Sequence, residues 1–457
     1  MYIKRDVIKN FINEINISEE SIEICFDSRD ISNNSLFVAL NGANFKAARF
    51  VSNALKNGAR YAIVNETDKN LIEETSRDKC YFVNDTTSFI KELATESLKE
   101  WKKSLGLNKT VIGITGSNGK TSTKELLLYL LEKILPKKAQ GTKGNLNNHF
   151  GVPITVFSLQ ENSEVVVFEI GTNNFGEIKY LSEIIKPDVS IITSIGQSHL
   201  EAFVTEDAVF TEKIALFDET IKNSKIKQCC FFSCEDKYLK RYHTKDRCFV
   251  VGGNESALHL IKLSQDRVLF TYQGVNYNFG FDHLIGTHHY LNFLNCFSVL
   301  CEVFEIEPIR IIKEAKSFKL GLNRGEWKKT GNLNAFLDCY NSNPSSLRAS
   351  LESFVFDNAN ILDKTLFVIG DMYELGENSG KYHREAGSYI KSLGIKNLLY
   401  IGHESKEFFR GFGKEGIFFK NVDDADLSSL NLTNISTLYL KGSRGVGLEK
   451  LLEKFKK

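Results

Sequence analysis

The sequence predicts an α/β protein of three domains: a small α/β domain over residues 1–105, a central parallel-sheet domain over 106–320 and a Rossmann-like domain over 321–457. Three observations predict it. The compact apolar run Thr110 to Thr115 passes through a glycine-rich turn into a helix-patterned stretch, the opening unit of a parallel α/β sheet. Short β-rich runs alternate with helical patterns on both sides of that unit. The chain of 457 residues also exceeds what one core holds, at about 150 residues per domain.

In the first section the β-rich runs are Ser35 to Leu40, Tyr61 to Val64 and Tyr81 to Val83, with a helical pattern around Phe50 to Lys56. Ser88 to Trp101 places Ile90, Leu93, Ala94 and Leu98 on one helix face, and the polar segment Lys102 to Lys109 reads as a linker. In the central section Leu127, Leu130, Leu131 and Ile134 share a face after the glycine turn, and Val165 to Ile170 and Val189 to Thr193 continue the sheet. Val268 to Tyr272 and Val275 to Phe279, around Gln273-Gly274, form a hairpin expected on the edge of that sheet. Helices are expected from His288 to Phe304 and from Pro308 to Phe318. Beyond a Gly- and Lys-rich junction, Gly321 to Asn332, strands Leu333 to Leu337, Leu366 to Ile369, Leu398 to Ile401 and Leu438 to Leu440 alternate with helices Ser345 to Phe354 and Tyr382 to Leu393, and a last helix closes the chain.

Composition narrows the partners. With 58 Lys and Arg against 57 Asp and Glu the net charge is +1, so no global field favours nucleic acid or an anionic membrane, and anionic small-molecule substrates must be met by local clusters. The nine cysteines are odd in number and scattered among apolar neighbours, as free thiols in a reducing compartment are. Cys229, Cys230 and Cys234 lack a second cysteine or histidine pair at ligand spacing and lie in or beside the strand-like run Gln228 to Ser233, which argues against zinc. The charged start Met1-Tyr-Ile-Lys-Arg-Asp-Val and the lack of any long uninterrupted apolar stretch lead us to expect a cytoplasmic protein without membrane insertion. A monomer is expected.

The strongest chemical signal is Gly113-Ile-Thr-Gly116-Ser117-Asn118-Gly119-Lys120-Thr121-Ser122. Between a buried strand and a helix such a turn curls so that successive N–H groups and the helix N-terminus face phosphates. Lys120 would then reach the outer phosphates of ATP, and the Thr121 hydroxyl would ligate magnesium. Ile114 stands where a strict phosphate-loop spacing has its first glycine, so this is a shorter variant. Taken alone, the loop suits a GTPase, a motor or a kinase equally well.

The short Gly-x-x-Gly-Lys-Thr form resembles that of the Mur ligases, and further motifs in the same order extend the resemblance over nearly the whole chain. Asp27-Ser28-Arg29, Leu36 to Gly42 and Gly58-Ala59 are similar to that family's uridine-nucleotide-binding domain, although Lys46-Ala47-Ala48-Arg49 stands where many members carry Asp-Gly-His. Thr142-Lys-Gly144-Asn145-Leu-Asn147-Asn148-His149-Phe-Gly151-Val-Pro153 resembles the segment of the D-alanyl-D-alanine-adding branch; a loop of amides hydrogen-bonds a peptide without competing charge.

The resemblance assigns further residues. Glu169 and His199 are magnesium ligands by this match, and Lys213 corresponds to a lysine that relatives carbamylate, which would make it a further metal ligand. Gly286-Thr-His288-His289-Tyr-Leu-Asn292 is similar to a Gly-x-His-Asn-x-x-Asn element beside the nucleotide base, with His289 in place of asparagine; His288 and Asn292 are the adenine-side candidates. Arg324 would neutralise the transferring phosphoryl group, Asp338 would hold the ribose, and Tyr340, Asn341 and Asn343 would receive a dipeptide. Gly370-Asp371-Met372-Tyr-Glu374-Leu-Gly376 and Lys441-Gly442-Ser443-Arg444 add matches at strand ends.

Together these imply an ATP- and magnesium-dependent amide ligase that takes UDP-N-acetylmuramoyl-tripeptide and D-alanyl-D-alanine, with Ser28, Arg29, Asn145, Asn147 and Asn148 on the substrate side. Diaminoacid-adding Mur ligases and folylpolyglutamate synthases share the phosphate loop. The former carry Asp-Asn-Pro-Arg, where this chain has Ser342-Asn343-Pro344-Ser345.

Overall fold

The computed structural model describes residues 1–42, 45–135, 138–242, 247–253, 256–321, 323–414, 416–430 and 432–456. Its first sheet orders β1 (Tyr2–Lys4), β2 (Ser21–Cys25), β3 (Leu36–Val38), β4 (Tyr61–Asn65) and β5 (Cys80–Val83) side by side, parallel except for the β1–β2 pair. The Thr86–Lys103 helix buries Ile90, Leu93, Ala94, Leu98 and Trp101 in a core that continues into Val152, Val156 and Phe157 of the central section. The first sheet and the central one are thus bound by one hydrophobic seam rather than hung on a linker. The polar stretch after Trp101 begins inside this helix, where Lys102 reaches Asp188 at 2.9 Å.

The central sheet contains β6 (Thr110–Thr115), β7 (Lys138–Gly141), β8 (Ser163–Glu169), β9 (Val189–Ile192), β10 (Cys230–Ser233) and β11 (Cys248–Val251), all parallel, in the order β11-β10-β9-β6-β8-β7. From β6 the chain moves out to β7 and β8 on one side, then crosses to β9, β10 and β11 on the other. This reversal of strand order leaves a crevice at the carboxyl end of β6, where open α/β sheets bind ligands.

The expected hairpin forms with its turn at Gln273-Gly274 but does not extend the central sheet. Its strands β13 (Val268–Tyr272) and β14 (Val275–Phe279) pair with β12 (Leu258–Leu263) in a separate antiparallel sheet of three strands. The physical reason lies in its inner face: Val268, Phe270, Tyr272 and Phe279 are buried, and the aromatic rings pack on Phe293 and Phe297 of the Thr287–Glu302 helix. That helix supplies more apolar cover than a sheet edge could.

The third of the large sheets, the C-terminal or third sheet, orders β15 (Glu326–Thr330), β16 (Leu333–Leu337), β20 (Thr437–Lys441), β17 (Thr365–Gly370), β18 (Leu398–Ile401) and β19 (Ile417–Phe419), parallel except for β15–β16. Part of the expected junction is therefore a strand. β15 exposes Trp327, Lys328 and Lys329 and buries only Thr330, the composition of a guarded edge rather than of a core strand. Of the described residues, no helix is long and apolar enough to cross a membrane.

Candidate active site

The glycine turn sits at the crevice. Its conformation requires glycine at position 119, where φ is +83° and an added Cβ would lie 2.8 Å from Asn292 Oδ1 on the neighbouring helix. The Ser117 and Asn118 N–H groups are held by Ser194, at 2.8 Å to its carbonyl and 3.2 Å to its hydroxyl. The Ser117 hydroxyl accepts from Gly196 N–H and from Ser198, each at 2.9 Å. What stays open to the cleft is the first turn of the Lys120–Ile134 helix, whose N–H groups have no intrahelical partners. Lys120 Nζ donates to the Gly116 carbonyl at 2.6 Å. Burial pulls its pKa down, against the opposing pull of the Glu169 charge.

Glu169 ends β8 almost fully buried. Asn147 Nδ2 donates to its Oε1 at 3.0 Å, while Oε2 lies 3.4 Å from Lys124 Nζ without a directed hydrogen bond from any described residue. Lys124, itself buried, donates to the Thr142 carbonyl at 2.9 Å. Lys213 lies in the Glu206–Asn223 helix, yet its side chain is buried and its Nζ has no hydrogen-bond partner among the described residues. Burial, helped by the charge of Lys120, presses its pKa well below the ordinary lysine value. His199 adopts a left-handed backbone, φ +52°, and its Nδ1 stands 2.7 Å from Glu374 Oε2 of the third sheet's loops.

From the C-terminal side Arg324 donates to the Thr121 hydroxyl at 3.1 Å, with its guanidinium 3.9 Å above the Tyr340 ring. Lys441 Nζ meets Asp338 at 3.1 Å and the Asn341 carbonyl at 2.7 Å. The His288 and His289 ring centroids lie 3.9 Å apart, with the rings tilted by 45°. Burial draws His288 down to about 4 and His289 well below the ordinary histidine range, so both are neutral near pH 7. Asn343 caps the Pro344–Asp357 helix by accepting from Ser346 N–H at 2.8 Å, and its amide donates to Asn118 Oδ1 at 2.9 Å. Asn118 in turn donates to Ser345 at 2.9 Å. The phosphate turn is thereby stitched to the third sheet. Asn343→Ala should lose both the cap and the stitch, costing about 1 kcal/mol or somewhat more of stability; urea unfolding checks this, and an unchanged midpoint would count against the cap.

These groups line one cleft of about 620 Å³: Ser117, Asn118, Gly119, Lys120, Thr121, Ser122, Asn145, Asn147, Asn148, Glu169, His199, His288, Asn292, Arg324, Asp338, Tyr340 and Asn341. Gly116, Lys213 and Asn343 are not on its wall. Ser28 and Arg29 lie apart, on the first sheet's loops. Ser28 is nearly buried, with its carbonyl accepting from Asn57 at 3.3 Å, and Arg29 is exposed and paired with Asp27 at 2.6 Å.

Residues 114–300 match the model of the Mur ligase middle domain, and residues 323–443 that of the Mur ligase glutamate ligase domain. The chain belongs to the Mur ligase family. It is 28% identical over 438 residues to a UDP-N-acetylmuramoyl-tripeptide--D-alanyl-D-alanine ligase of Bacillus subtilis, covering 94% of this chain and 92% of that one. The like-named protein of Rickettsia prowazekii is 29% identical over 450 residues, with 96% of each chain covered. Among solved structures, MurF from Acinetobacter baumannii superposes with a TM-score of 0.85 at 23% identity over 100% of this chain and 99% of that one. MurF from Thermotoga maritima in complex with ADP gives 0.77 at 24% identity, over 95% and 97%. These two likenesses confirm the Mur ligase fold.

The Mur ligase site also contains residues that the sequence reading gave no role. Glu374 and Lys441 fall inside motifs quoted above, but nothing local says that one meets His199 and the other Asp338. Lys124 follows Lys120 by one helical turn, a spacing that carried a usable signal.

Proposed function

We propose that this chain is an ATP-dependent ligase that joins D-alanyl-D-alanine to UDP-N-acetylmuramoyl-tripeptide, giving the pentapeptide precursor of peptidoglycan. The observation that carries the reading is that one cleft gathers the phosphate turn, the Glu169 carboxylate, the amide loop Asn145 to Asn148 and Arg324, Tyr340 and Asn341. In this reading the tripeptide carboxylate attacks the γ-phosphorus of ATP and ADP leaves. The dipeptide amine then attacks the acyl phosphate carbonyl and expels phosphate. Negative charge grows on oxygen in both steps, so the useful groups are donors and cations, Lys120 and Arg324, rather than a protein nucleophile.

The donor set fits a magnesium ion. Glu169 Oε2 is a buried carboxylate oxygen with no hydrogen-bond partner among the described residues, and His199 spends Nδ1 on Glu374, leaving Nε2 for a ligand. Among the described residues no three His, Cys, Asp or Glu side chains converge to hold a metal alone. That suits a cation which takes its other oxygens from phosphates, with Thr121, Glu169 and His199 as protein ligands. Bound there, magnesium would neutralise charge on the phosphate oxygens. Lys213, buried and without a hydrogen-bond partner among the described residues, would take up carbon dioxide as a carbamate and so offer an anion in place of a cation.

We assign residues 1–105 to the UDP-sugar end of the substrate, with Ser28 and Arg29 as contacts, 106–320 to ATP, and 321–457 to the dipeptide. His288, Asn292 and Asp338 serve the nucleoside of ATP, and Tyr340 and Asn341 the incoming amine; Asn343, off the cleft wall with its amide spent on the helix cap and on Asn118, would act there only by holding the loop. Work as a monomer in the cytoplasm completes the proposal. The test is phosphate release with ATP, magnesium and UDP-N-acetylmuramoyl-tripeptides ending in diaminopimelate or lysine, with and without D-alanyl-D-alanine. Release that needs the dipeptide is expected. Nucleotide binding without turnover would mark a ligase-like binding protein instead.

A further inference from the structure

The short helix Leu200–Phe203 follows His199 on the central section, but its first residue packs elsewhere. Leu200 is buried in the third section's core with Met372 and Leu375. Glu201 N–H donates to the Glu374 carbonyl at 3.1 Å. An added Cβ on Gly376, whose φ is +60°, would lie 3.0 Å from Glu201 Cα, so the two backbones meet where a side chain has no room. The His199 to Glu374 bond of 2.7 Å joins two residues that both hold left-handed backbones, φ +52° and +63°. Such conformations are uncommon outside glycine and persist where the surroundings hold them.

The seat of Glu374 is rigid. The Asp371 carboxylate accepts from Tyr400 at 2.7 Å and from His403 N–H at 2.8 Å. Met372 N–H donates to His383 at 2.9 Å and Tyr373 N–H to Ser443 at 2.9 Å. Glu374 therefore moves with the whole third sheet, while His199 is fixed to the central one.

We propose that Glu374 is a positioning residue that couples the seating of the third domain to the orientation of the His199 imidazole. A carboxylate on Nδ1–H fixes the tautomer whose Nε2 carries the lone pair, and a ring so held presents that nitrogen in one direction. When the third domain lifts, Leu200 leaves its core and Glu374 leaves His199 in the same movement. The cation ligand is then complete only in the closed enzyme. This deepens the ligase reading and rests on it.

The test is magnesium titration of the binding of a fluorescent ADP analogue to the full chain, alongside steady-state turnover. Glu374→Ala is expected to raise the magnesium concentration for half-maximal binding by about tenfold or more and to lower kcat with little change in KM for the dipeptide. Glu374→Gln still accepts from Nδ1–H and should recover most of the loss. Leu200→Ala leaves the pair chemically whole but weakens its seat, and should shift the titration in the same direction. Wild-type magnesium dependence in folded Glu374→Ala overturns the proposal, as does an unshifted titration in folded Leu200→Ala should Glu374→Ala fail to fold. The ligase reading fails separately, if the wild-type protein releases no phosphate, and the titration is unaffected by that outcome.

Discussion

Lys120→Ala is expected to slow phosphate release by about a hundred- to a thousandfold, or about 3–4 kcal/mol in the barrier, while leaving the fold intact. The two halves of this expectation have one cause. In the free enzyme Lys120 is half-buried, and its only hydrogen bond in the described contacts is to the Gly116 carbonyl at 2.6 Å. Burial already disfavours its charged form, as the lowered pKa records. Removing such a cation relieves a desolvation cost, so thermal melting should change little. With a triphosphate present the balance reverses, because the same ammonium then faces oxygens whose charge grows as the phosphoryl group transfers. Single-turnover rates separate that loss from weaker ATP binding. Activity within tenfold of wild type would remove Lys120 from the chemistry.

Much of this site was legible because it is local. The strand Thr110–Thr115, the turn and the helix from Lys120 lie within one short stretch, and their spacing alone states a phosphate-binding geometry. The three-part division followed from periodicity, since the core strands are apolar runs. The elements that escaped are those whose sequences hide their structure. β15 reads Glu-Trp-Lys-Lys-Thr and survives by pairing with β16, and β7 reads Lys-Ala-Gln-Gly at the far edge of its sheet. β12 buries Leu258 against the neighbouring strand but otherwise shows a half-exposed face. At the site the same rule holds across distance. Glu374 and His199, or Lys441 and Asp338, are far apart in the chain, and only the docking of the C-terminal section on the central one, for the first pair, and the pairing of β16 with β20, for the second, reveal that each pair is an interaction. Lys213 was legible only through the family resemblance, since a lysine in a helix with charged residues reads as solvated until the fold covers it.

Glu169→Gln carries the second large effect, and here stability and activity should both fall. The amide can still accept from Asn147, but it takes the negative charge away from Lys124, a side chain as buried as Glu169 itself. Among the described residues Lys124 keeps only its bond to the Thr142 carbonyl, and an unpaired buried cation costs about 3 kcal/mol or more. Turnover should drop by about a hundredfold, because a carboxylate oxygen free to face a cation has become an amide. The two losses are separable by a second substitution. Glu169→Gln with Lys124→Met removes both charges and should restore most of the stability, as replacing a whole buried pair with matched neutral groups commonly does. Turnover should not return, since the missing cation ligand is still missing. If the double variant instead regains wild-type turnover together with its melting temperature, Glu169 serves only to hold Lys124, and the magnesium assignment at this position is wrong.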